Sequence, residues 1–134
     1  MSAKLLEASI TIQAPVANVW RVFVDPTLTR QMGGEYVTDW KVGSPLSFKK
    51  PDGAEVIAGT LLKFEPEKLL QHIVRNAMRS IDATLTYEFS EQNGVTTLKG
   101  SEEFTEPISD EEYADSLAGW DAALNMVKEI AEKQ

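Results

Sequence analysis

The sequence has no cysteine and a single histidine, His72. Without thiols there is no disulfide framework, no thiolate nucleophile and no cysteine zinc site. With one imidazole there is no metal site built on two histidines and no recognisable Ser-His-Asp setting, so no metal or cofactor is expected. Basic residues are few: 13 Lys and Arg stand against 21 Asp and Glu, a net charge of −8. Such a surface repels phosphate backbones and anionic headgroups, which argues against nucleic acid and against membrane surfaces as partners. No apolar run is long enough to span a bilayer, and Met1-Ser2-Ala3-Lys4 leads into a strand pattern without an apolar signal core. With the missing cysteines, these features place the expected protein in the cytoplasm. A phosphate loop is also absent. Gly33-Gly34 lacks the G-x-x-x-x-G-K continuation and reads as a helix terminator.

What is present is an ordinary globular balance, 43% hydrophobic and 25% charged in 134 residues. That length suits one domain, residues 1–134, in which folding buries roughly two-thirds of the surface of the unfolded chain. The strongest pattern runs from Ser109 to Lys133. Tyr113, Leu117, Trp120, Leu124, Val127 and Ala131 recur at helical spacing, and Ser109 with Glu112 forms an S-x-x-E capping box. Ahead of it, Leu6, Ala8, Ile10 and Ile12 alternate with polar residues as a half-buried strand. Pro15 opens a short helix carrying Val16, Val19, Trp20 and Phe23, which Asp25-Pro26 ends; a second short helix is expected from Thr27 to Met32.

Further strands are expected at Tyr36 to Trp40, Pro45 to Lys49 and Glu55 to Phe64, the last bulged or bent at Gly59. Others follow at Leu69 to Val74, extending toward Met78, and from Ile81 to Phe89. Asn93-Gly94 then forms a hairpin turn before a return strand from Val95 to Phe104. Strands met in sequence across tight turns make an antiparallel meander, so the class is α+β.

The order of elements resembles the helix-grip fold of the START-like, or SRPBCC, superfamily, which also includes the Bet v 1-like proteins. Ile10-Thr11-Ile12-Gln13-Ala14-Pro15 followed by Val19-Trp20 is similar to the opening of the type homologous to the activator of heat-shock-protein-90 ATPase. So are the turn Asp39-Trp40-Lys41-Val42-Gly43, the hairpin Gly59 with Phe64-Glu65-Pro66 and Leu69, and the closing Gly119-Trp120 with Leu124. The resemblance implies a curved antiparallel sheet of about six to seven strands wrapped around a long C-terminal helix, with two short helices after the first strand. It also implies a cavity between sheet and helix for a small hydrophobic or amphipathic ligand. Met32 and Gly33 stand where the family often carries a tryptophan, which alters the cavity mouth. The additional N-terminal domain of the eukaryotic co-chaperone is not expected in this chain, which lowers a chaperone-partner role.

Candidate lining residues are Phe48, Leu62, Leu85, Tyr87 and Leu98 from the strands, and Tyr113, Leu117 and Trp120 from the helix. Trp40, at a strand end, is expected at the mouth. Gly119-Trp120 is expected as the closest approach of helix to sheet. Glu102 and His72 are the only acid–base candidates. Thr96, Leu98, Gly100, Glu102 and Phe104 share a strand face that Leu98 and Phe104 mark as interior. A bulge at Gly100 is nevertheless expected to return Glu102 to solvent beside Glu103 and Glu106. Arg75 and Arg79 are candidate rim cations, with surface ion pairing the expected role. The acidic run from Glu102 to Asp115 is a helix-start feature or a docking patch for a basic partner. These features favour binding of a small ligand over a cyclase or hydrolase, and over a chaperone-activator interaction.

Overall fold

The computed structural model of the chain describes residues 3–75 and 82–134, without the side chains of Ala3, Val56 and Ile57. Met78, Arg79 and Ile81 lie outside these residues. Seven antiparallel strands form one sheet: β1 (Ala3–Ile12), β2 (Glu35–Val37), β3 (Pro45–Lys49), β4 (Glu55–Glu65), β5 (Leu69–Arg75), β6 (Asp82–Gln92) and β7 (Val95–Ile108). Their order is β1-β7-β6-β5-β4-β3-β2. The first strand therefore pairs with the last, and β2 to β7 run as a meander. Helices α1 (Val16–Val24) and α2 (Pro26–Thr29), with a 3-10 turn at Arg30–Met32, carry the chain from one sheet edge to the other. The long helix α3 (Asp110–Glu132) packs over β1 and against α1. This is the α+β helix-grip architecture, with a long C-terminal helix held against an open sheet.

Local chemistry explains the ends of α3. Ser109 Oγ accepts from the Glu112 amide at 3.1 Å, and the Ser109 amide donates back to Glu112 Oε1 at 3.3 Å. Two otherwise orphaned donors are satisfied, an arrangement that stabilises a helix by about 1 kcal/mol. The buried face of α3 is Trp120, Leu124, Val127, Ile130 and Ala131. Helix α1 has no side-chain cap of its own at Pro15; instead Glu91 of β6 accepts from the Val16 amide at 2.7 Å.

Strand alternation sets the core. Leu61, His72, Leu85, Glu102 and Leu6 are successive cross-strand partners on β4, β5, β6, β7 and β1, so one inward row crosses five strands. Phe64, Leu70, Tyr87, Gly100 and Ala8 form the next inward row. Under α1 the space is filled by rings. Trp20 packs on Phe64 and Phe89 at 5.3 and 5.1 Å between centroids, and Phe23 on Tyr87 and Phe89 at 4.7 and 5.4 Å.

Two local expectations change. β2 stops at Val37, short of Trp40. The Asp39 carboxylate accepts from the Lys41 amide at 3.0 Å, and Trp40 takes φ 60°, a conformation that cannot continue a strand. β4 is irregular between Leu61 and Lys63 against β5 and between Glu55 and Ile57 against β3, and not at Gly59. Gly59 is a close approach: a β-carbon there would lie 1.6 Å from the Ile73 carbonyl oxygen. Asn93 and Gly94 do form the expected hairpin turn, both at positive φ.

Candidate functional site

Beside α3 the sheet is not filled. A cleft of about 320 Å³ opens between the inner face of β6 and β7 and the helix, lined by Leu85, Tyr87 and Glu102 from the sheet and by Asp115, Gly119 and Trp120 from α3. The volume lies at the small end of the range for ligand sites.

Gly100 determines how the cleft is built. The register of β7 runs through Tyr87↔Gly100 and Leu85↔Glu102 without a shift, and through Ala8↔Gly100 and Leu6↔Glu102 on the other side. There is no bulge to turn Glu102 outward, contrary to the sequence expectation. Gly100 serves a different end. A β-carbon there would lie 2.1 Å from Cζ3 of Trp120, so the missing side chain is a socket for the indole. Seated in it, Trp120 donates from Nε1 to Glu102 Oε1 at 3.0 Å. Glu102 is part of the cleft lining. Gly119, expected as the point of closest approach, is instead exposed with nothing within 4 Å of a β-carbon built on it.

Two phenols extend the polar line inward. The Tyr87 and Tyr36 hydroxyls partner each other. Burial pushes the Tyr36 phenol up to about 12. Tyr87 is held well above the ordinary phenol value by burial, with Tyr36 and the Glu102 charge adding to the effect. Both remain neutral hydroxyls at physiological pH. His72 is fully buried, its ring edge-on to Tyr36 at 5.9 Å between centroids. Its Nδ1 lies 3.3 Å from the Ile73 carbonyl oxygen, which assigns the proton to Nδ1 and leaves Nε2 as an acceptor. Nε2 has no hydrogen-bond partner. Burial lowers this imidazole to about 4, so it is neutral near pH 7.

Of the nine lining residues expected from sequence, Leu85, Tyr87 and Trp120 come together at the cleft. Leu98 is completely buried. Tyr113 and Leu117 are half-buried against the core. Trp40 stacks on Phe64 at 5.3 Å, and Phe48 packs on Tyr36 at 5.1 Å, both away from the cleft. Leu62 falls in the β4 irregularity, outside the inward alternation. Of the two acid–base candidates, Glu102 lines the cleft, and His72 sits beside Leu85, its cross-strand partner, outside the lining. Arg75 lies outside the cleft, in a separate groove with Asp39 and Glu55. Tyr36 was not singled out from sequence: a lone tyrosine on a three-residue strand carries no periodic signal. Among the described residues no group of three or more His, Asp or Glu is placed to hold a metal ion.

The profile of the family described as "Activator of Hsp90 ATPase homolog 1-like protein" matches residues 13–132. The chain belongs to this family. Solved structures agree in fold. DynU16, from the dynemicin biosynthetic locus, superposes with a TM-score of 0.85 at 18% identity over 97% of this chain and 48% of its own. This chain thus spans about half the length of DynU16. MLL2253 from Mesorhizobium loti gives 0.83 at 16% identity, covering 97% of this chain and 98% of its own. CalU16 from Micromonospora echinospora gives 0.78 at 21% identity over 95% and 75%. No curated protein matches the chain in sequence. Membership of the activator of Hsp90 ATPase homolog 1-like family, with the helix-grip architecture, fits a ligand-binding fold. Among the described residues, no helix is long and apolar enough to cross a membrane.

Proposed function

We propose that this activator of Hsp90 ATPase homolog 1-like chain acts as a single cytoplasmic domain that binds one small amphipathic molecule in the cleft beside α3. The carrying observation is the coexistence of an apolar cleft wall with a fixed polar end. Leu85 and the Trp120 ring offer the apolar contact, and Glu102, clamped by Trp120 Nε1, offers the polar one. A carboxylate on an inward strand position is costly to desolvate unless something pairs with it, which supports a binding role for that position. Binding is favoured over acid–base catalysis because the two titratable candidates do not converge: His72 is fully buried beside Leu85 and outside the cleft lining, and Glu102 is engaged by an indole.

Gly119→Leu tests this reading. The substituted side chain would enter the cleft, since a β-carbon at Gly119 meets nothing within 4 Å. Native mass spectrometry of the purified protein is expected to show a co-purifying small molecule that the Gly119→Leu protein, equally folded by circular dichroism, has lost. The same adduct on both proteins would overturn the assignment of the cleft.

A further inference from the structure

Resting on that reading, we infer that the cleft selects an organic cation, an ammonium group carried on an apolar body. The first observation is the charge of the lining. Glu102 lies at its base and Asp115 at its lip, and among the described residues no Lys or Arg lines it. A carboxylate in the lining of a partly desolvated cleft is matched by an N–H donor of opposite charge, the strong class of hydrogen bond. An anionic ligand would meet two carboxylates with no compensating cation among the described residues.

The second observation is aromatic. Tyr87 and Trp120 pack at 5.3 Å between centroids with their planes at 49°, forming a corner of two π-surfaces next to Glu102. Indole and phenol faces attract cations, and Trp is the strongest of them. The indole N–H is spent on Glu102, which fixes the ring at the wall of the cleft it lines.

The third observation concerns the groups behind the cleft. His72 Nε2 is a buried acceptor without a partner, and its strand neighbour Leu85 lines the cleft. The Tyr87 hydroxyl already has Tyr36 as its partner. The charged groups of the lining itself, the Glu102 and Asp115 carboxylates, are acceptors. The site asks for donors and positive charge, and the −8 net charge of the protein draws such ligands toward it.

A matched set of probes with one apolar body separates the charge states: phenylbutylamine, phenylbutanol and phenylbutyrate, titrated calorimetrically into the intact chain. The amine is expected to bind at least about tenfold more tightly than the alcohol, and the carboxylate most weakly. Glu102→Gln, which keeps an acceptor for Trp120, is expected to erase the amine preference, bringing the amine and the alcohol to comparable affinity. Asp115→Asn, at an exposed position, is expected to reduce the preference by a smaller factor. An alcohol or carboxylate that binds as tightly as the amine would overturn the cation assignment and leave the cleft as a binding site. So would an amine preference that survives Glu102→Gln. Failure of all three probes to bind would overturn the cation assignment and count against the cleft itself.

Discussion

Trp120 occupies the space that a β-carbon of Gly100 would need, with Cζ3 2.1 Å from that position. This single relationship fixes the indole over β7, brings Nε1 to Glu102, and leaves the adjoining sheet surface uncovered as a cleft.

Gly100→Ala is therefore expected to displace the indole or the strand. The cost is that of overpacking, about 1–3 kcal/mol, read as a lower midpoint in chemical denaturation. In a Trp120→Leu background the same substitution is expected to cost much less, because the ring it collides with is gone. Equal costs in both backgrounds would show that the collision is not what requires glycine there.

Gly119 gives the opposite sign. It is exposed in the middle of α3 and its β-carbon would meet nothing. Gly119→Ala is expected to stabilise the protein by about 1 kcal/mol through helix propensity alone, measured by thermal or chemical denaturation. A destabilised variant would mean that the helix needs this glycine for packing.

These two glycines show what the sequence could and could not reveal. Both sit in strong periodic segments, so the strand and the helix around them were legible, as were the capping box at Ser109 and the Asn93-Gly94 turn. Those signals are local: side-chain spacing, a cap and a turn dipeptide. Which glycine received the indole depended on what lay across the fold, and neither neighbourhood in the chain records it. The inward facing of Glu102 is visible as parity on β7, but a glycine in a strand signals a bulge and a close approach alike, and only what lies across from Gly100 tells them apart. Trp40 was likewise misplaced, because a side-chain hydrogen bond at Asp39 bent the backbone off the ladder.

His72 makes stability depend on acid. Its folded value of about 4 lies below the ordinary histidine value, so between these limits the unfolded chain binds more protons. The stability associated with a neutral His72 is complete above about pH 6.5 and declines as pH falls toward 4, by up to about 3 kcal/mol. Tyr36 works at the other end. Its folded value of about 12 exceeds that of a free phenol, so its contribution is complete below about pH 10 and is lost as pH rises toward 12. His72→Leu is expected to flatten the acid limb of a denaturation series from pH 7 to 4. An unchanged acid limb would contradict a neutral buried imidazole.

Thr96 ties the last strand to the first helical crossing. Its hydroxyl is buried and donates to the Ala14 carbonyl at 2.7 Å. Thr96→Val, nearly the same shape, leaves that carbonyl without its side-chain donor, at an expected cost of about 1–3 kcal/mol in denaturant unfolding. Thr97→Val, one residue on and exposed, is expected to change little and serves as the control.

The central claim is that ligands occupy the cleft against Trp120. Its most direct test uses the three indole N–H resonances of Trp20, Trp40 and Trp120 in a nitrogen-15-labelled sample titrated with phenylbutylamine. The Trp120 resonance is expected to shift most, because its N–H is bonded to Glu102 at the cleft, while that of Trp20 in the aromatic core stays in place. A titration that moves Trp20 or Trp40 and leaves Trp120 unchanged would contradict the account.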